Sequence, residues 1–189
     1  MRLSTKEIAG SILCAALYST AILLTAYIPT GFIIQFRPAV VIPAIFAVVM
    51  GPWVGGTGAA LGTFTASIIT YGTPILTIFS GTPGNFLGFW TLGHVTKRLT
   101  KRYHWIPAYV VGALVYSLVS TAVIAVGLYF LATIVGLTML AKWTTLQFIL
   151  SASTFEIAYK LFFTILLGPP IIKACWAAIP SLEKYKRLK

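Results

Sequence analysis

The chain has 189 residues, 58% of them hydrophobic and 9% charged, with a mean hydropathy of +0.92. A soluble domain needs a charged share of about a quarter to clothe its surface, so the composition excludes one and indicates an integral membrane protein. The formal charge of +11 does not point to nucleic acid, because the lysines and arginines sit at the ends of apolar segments, where they set topology.

The first apolar segment, Ile8–Ile28, follows Arg2 and Lys6. It is longer than the core of a secretory signal and similar spans come after it, so it reads as a retained helix, ended by Pro29-Thr30-Gly31. A short second segment, Arg37 to Met50, and a third, Trp53 to Tyr71, are divided by the helix-breaking pair Gly51-Pro52. After Gly72-Thr73-Pro74 a fourth stretch reaches His94, interrupted by Ser80-Gly81-Thr82-Pro83-Gly84-Asn85, which reads as a loop before a shorter helix or as an unwound part of one. The fifth runs from Ile106 to Gly136 and the sixth from Thr145 to Ile172.

Six crossings with a cytoplasmic N-terminus place Arg2, Lys6, the cluster Lys97-Arg98-Lys101-Arg102, Lys173 and the tail Lys184-Lys186-Arg187-Lys189 on one side. Only Arg37 and Lys142 fall outside, the asymmetry that the positive-inside rule expects. The expected fold is therefore all-α, with six transmembrane helices and both termini cytoplasmic, in a single transmembrane domain over residues 1–189. A re-entrant second and third pair keeps the same parity.

Glu156, one of three acidic residues, lies four residues before Lys160 within the apolar sixth segment. Ionised groups in a bilayer are costly, and opposite charges one helical turn apart face each other and a polar cavity rather than lipid. The alternative is a self-neutralising pair that only fixes helix packing. Tyr159 and Phe163 share that helix face. Arg37, at the start of the second helix, and Asn85, near the start of the fourth, fall toward the same outer side. Together these six residues sketch a pocket suited to a flat or zwitterionic metabolite. Each keeps a plainer reading: a headgroup anchor for Arg37, a helix cap for Asn85, core or lipid-facing rings for Tyr159 and Phe163.

Small residues recur at packing intervals. Ser11, Ala15 and Ser19 share one face of the first helix, Ala16 and Thr20 another, and Gly51/Gly55 and Gly58/Gly62 stand beside the third. Internal packing is the expected role of the glycines, whereas the first-helix faces could equally receive another subunit. Cys14 and Cys175 read as core thiols, His94 and His104 as interfacial residues without metal-ligand spacing, and Trp105, Trp143 and Trp176 as interfacial anchors. Ser151, Ser153 and Thr154 have no positioned histidine or acid to make a nucleophile, so no enzymatic chemistry and no cofactor are expected.

Taken in order, Ile12-Leu13-Cys14-Ala15-Ala16-Leu17 behind a short basic N-terminus, Gln35-Phe36-Arg37-Pro38, Ile42-Pro43-Ala44-Ile45-Phe46, and Met50-Gly51-Pro52-Trp53-Val54-Gly55-Gly56 resemble the substrate-binding S component of energy-coupling factor (ECF) transporters. Lys160 sits where several members of that family place a polar or charged ligand contact. The resemblance implies capture of a vitamin or related micronutrient, with a separate transmembrane coupling protein and two ATPase subunits supplying the power stroke. The lack of a Gly-Lys-Ser/Thr phosphate loop agrees with that division. The first helix departs from a clean alanine-x-x-x-alanine docking pattern, offering Ser11, Ala15 and Ser19 or Ala16 and Thr20 instead. A stand-alone secondary transporter of a small polar metabolite is the alternative reading.

Overall fold

The computed structural model describes residues 4–25 and 36–178; Pro29-Thr30-Gly31 and the basic C-terminal tail lie outside them. Seven α-helices follow one another among the described residues: α1 (Thr5–Thr25), α2 (Val41–Val49, entered by a 3-10 turn at Pro38–Val40), α3 (Pro52–Tyr71), the one-turn α4 (Ile75–Ile78), α5 (Gly81–Leu99), α6 (Trp105–Thr133) and α7 (Leu146–Ala178). A second 3-10 segment, Thr138–Thr144, joins α6 to α7. Of these, α1, α6 and α7 are long and apolar enough to cross a membrane.

Local chemistry explains the boundaries. Ser4 and Glu7 form a capping box at the start of α1: the Ser4 backbone N–H and hydroxyl donate to Glu7 Oε2 at 2.8 and 2.9 Å, and the Glu7 N–H donates back to Ser4 Oγ at 3.3 Å. Between α2 and α3, Gly51 takes φ +115°, open only to glycine, and Pro52 opens the next helix where its missing N–H costs nothing. The expected interruption at Ser80–Asn85 is much shorter than the sequence implies. Gly81 to Asn85 already belong to α5, and the break is confined to Phe79 and Ser80, because Pro83 lies in the first helical turn and can be accommodated there. The sixth segment likewise runs past Ile172 to Ala178 with Pro169 and Pro170 inside the helix.

Close contacts give each helix its direction. Side chains added at Gly58 and Gly62 of α3 would meet Cys14 and Tyr18 of α1, so the two helices run parallel. Gly56 and Gly93 bring α5 antiparallel to α3, Gly88 and Gly112 bring α6 antiparallel to α5, and Tyr109 against Gly168, taken with Lys160 against Ser120 and Thr121, sets α7 antiparallel to α6. Glycines at these crossings let backbones approach closely enough for dispersion to hold the helices together where lipid offers no hydrophobic drive. The short α2 sits amid α1, α3, α5 and α7. It is apolar throughout, as a helix enclosed by others must be.

These directions gather Glu7, the Gly51-Pro52 turn, Lys97, Arg98 and Lys101 at one end of the bundle, where Trp105 and Trp176 also meet edge to face at 5.0 Å. Trp143, expected as an interfacial anchor, is instead completely buried, its ring 5.6 Å from Phe148. Trp176 is buried as well.

The small-residue face of α1 formed by Ser11, Ala15 and Ser19 turns inward. The Ser11 hydroxyl donates to the Glu7 carbonyl at 2.9 Å and accepts from Thr57 of α3 at 2.8 Å, and Ser19 is buried. Ala16 and Thr20 lie on the exposed face, together with Ile12, Leu13, Leu17 and Leu24.

Candidate functional site

A cavity opens at the end of the bundle opposite the basic cluster. About 60 Å³ of it can hold the centre of a water molecule, several times what one water needs. Each wall comes from a different element: Arg37 and Val40 lead into α2, Tyr18 projects from α1, Thr77, Ser80 and Asn85 stand around the α4–α5 junction, Ile124 and Leu128 lie on α6, and Glu156, Tyr159 and Lys160 on α7. Five of the six residues singled out from the sequence therefore share one cavity. Phe163 does not line it.

The ion pair is real and fully internal. Lys160 Nζ lies 2.7 Å from Glu156 Oε1, and the two residues are 1% and 2% exposed. The ammonium has further partners on α6, donating to Ser120 Oγ at 2.8 Å and to Thr121 Oγ1 at 3.3 Å, and it lies 5.6 Å from the centre of the Tyr116 ring. All three of its protons are thus provided for. The carboxylate is not: Glu156 Oε2 is buried with no hydrogen-bond partner among the described residues. Leaving a buried acceptor unmade costs about 1–3 kcal/mol, more for a charged group, so such an atom on a cavity wall is a place for a donor.

Asn85 is buried at the start of α5 and donates through Nδ2 to Thr63 Oγ1 of α3 at 2.8 Å. It therefore joins two helices rather than capping one. The Ser80 hydroxyl turns back to the Leu76 carbonyl and closes the α4–α5 turn. Arg37 is half-buried at the cavity edge. Its neighbour Phe36 packs on α7, with ring centres 5.6 Å from Tyr159 and 5.3 Å from Phe163. Phe163 thus serves the site indirectly, by holding the residue before Arg37. With Arg37 and Lys160 against Glu156, the cavity carries a surplus of positive charge.

Ser120 and Thr121 escaped the sequence reading, although Ser117, Ser120 and Thr121 recur at three- and four-residue spacing in an otherwise apolar helix and mark a polar stripe that had to face something. Tyr18, Tyr71 and Thr77 carried no comparable signal. Among the described residues no three of histidine, cysteine, aspartate and glutamate come together as metal ligands would. His94 stacks on Trp90 at 5.1 Å and His104 accepts the Ile106 N–H at the start of α6. Comparison of the chain with protein-family models, curated proteins and solved structures gives no match.

Proposed function

We propose that this protein is the substrate-capture subunit of an ECF-type importer, a six-helix protein of the plasma membrane that takes a vitamin-like micronutrient from outside and delivers it through a separate coupling protein driven by two ATPase subunits. The observation that carries this reading is the cavity itself, in which a buried carboxylate oxygen without a partner and a surplus of positive charge sit side by side. A ligand with an N–H or O–H donor for Glu156 and an anionic group near Arg37 would meet both features, and the aromatic faces of Tyr18 and Tyr159 suit a flat body. Binding, not catalysis, is the work such a constellation does. The basic end then lies in the cytoplasm, by the positive-inside rule.

Gentle purification followed by mass spectrometry tests this directly. A retained small molecule that carries such a donor, together with co-isolated coupling and ATPase subunits, is the expected result; uptake driven by a proton gradient through the lone protein in vesicles would replace it. That second reading, a stand-alone secondary transporter, draws on the buried Glu156–Lys160 pair, which a proton could open.

Two further outcomes are expected. In a variant lacking Cys14 and Cys175, a cysteine at Lys101 should resist an impermeant thiol reagent on intact cells while one at Lys142 reacts; the reverse pattern would invert the topology. Ala16→Trp, on the exposed face of α1, should abolish assembly with the coupling protein and transport yet leave ligand retention by the isolated subunit within about twofold. Normal assembly of this variant would place docking on another face.

A further inference from the structure

One side of α5 carries a graded sequence of chemistry that the cavity does not use. Lys97, His94, Trp90 and Phe86 follow at spacings of three and four, and so lie in one row, with Arg98 beside it and Lys101 in the turn just past the helix end. Trp53, at the start of α3, adds to the aromatic part, its ring centre 5.9 Å from Phe86 and 6.1 Å from Trp90, and Trp90 stacks on His94 with an interplanar angle of 14°. At the basic end this row opens into a groove of about 530 Å³ bounded by Lys97, Arg98, Lys101, His94, Trp53 and the turn at Met50–Pro52. The groove contains one acid, Glu7, whose Oε2 accepts from the Ser4 N–H and hydroxyl. Among the described residues none of the three cations has an ion-pair partner.

We propose that this groove seats an anionic phospholipid, its phosphate among Lys97, Arg98 and Lys101 and an acyl chain along the Trp53, Trp90 and Phe86 wall. Charge complementarity selects the headgroup, since basic side chains clustered at the end of a membrane helix attract anionic lipid, and three cations against the single Glu7 carboxylate leave the groove net positive. The aromatic wall selects a lipid over a soluble anion: tryptophan rings take the interfacial level, between headgroup and hydrocarbon. Cations at one end of the row and rings toward the middle of α5 reproduce the polarity profile of a phospholipid lying along the helix.

The full-length protein, released from vesicles of phosphatidylcholine and phosphatidylglycerol, should retain phosphatidylglycerol when examined by native mass spectrometry. The triple variant Lys97→Ala, Arg98→Ala, Lys101→Ala should retain roughly fivefold less or lower, and a control that removes cations outside the basic cluster, Lys142→Ala with Lys173→Ala, should retain it undiminished. Trp90→Ala should lower retention as well, because the acyl chain loses its wall. If the triple variant does not fold, Lys97→Gln with Lys101→Gln makes the same comparison. Equal retention in the groove and control variants would overturn the proposal. So would displacement of the phosphatidylglycerol by inorganic phosphate, which would assign the groove to a soluble anion, or cross-linking of a protein segment to Lys97 with no lipid retained.

Discussion

Lys160→Ala is expected to destabilise the protein by about 3–5 kcal/mol, read as a fall in the thermal midpoint of the purified protein, because it strands a buried carboxylate whose other oxygen already lacks a partner. Retention of the captured molecule should fall at the same time by about tenfold or more, or at least roughly 1.4 kcal/mol. The paired change Glu156→Gln with Lys160→Met removes both charges, and with them most of the cost of burying one alone. It should recover much of the lost stability, since uncharged replacements of a buried pair are often neutral or better. Retention should stay lost. A double variant that is stable and holds the small molecule as tightly as the native protein would reduce the pair to helix packing and move the binding determinants to Arg37 and Asn85.

Gly127→Val acts on the site from outside it. A Cβ at this position would overlap the Phe79 carbonyl oxygen and approach Ser80 Cα to 2.7 Å, and backbone cannot step aside as the tip of a side chain can. Overpacking of this kind costs about 1–3 kcal/mol. The strain falls on the break between α4 and α5, where Ser80 and Gly81 form part of the cavity wall. Retention of the bound molecule should therefore drop along with the unfolding midpoint, whereas Ala122→Val, on the exposed side of the same helix, should leave both within the small range typical of surface changes, about 0.5 kcal/mol. If Gly127→Val keeps native retention, the α4–α5 turn does not shape the site.

How much of this was legible beforehand depends on the kind of signal each residue carries. Helix limits written in glycine and proline, such as Gly51-Pro52 and Gly72, could be read because backbone conformation leaves few alternatives there. Glu156 and Lys160 were legible because charge in an apolar segment demands an explanation. The run from Ser80 to Asn85 misled, since two glycines and a proline suggest an extended loop, yet the same residues are tolerated in the first turn of a helix packed against α6. The face of α1 carrying Ser11 and Ser19 was ambiguous for a related reason: small residues mark close approach without saying to which partner, and the partner here is α3. Tyr18 and Thr77 reach the cavity only through the crossing of elements far apart in sequence. No periodicity within one segment records that.

Arg37 is held from both sides. Pro38 follows it and restricts its backbone, found at φ −128° and ψ 85°, while the Phe36 ring before it is wedged against Tyr159 and Phe163 of α7. The backbone at Arg37 is thereby indexed to the same helix that bears Glu156 and Lys160, although it belongs to a segment more than a hundred positions earlier in the chain. Lys160 of that helix is bonded in turn to Ser120 and Thr121 of α6, so the placing of the cavity's charges depends on three separate stretches of chain at once, and a displacement of α7 would have to break those two hydrogen bonds.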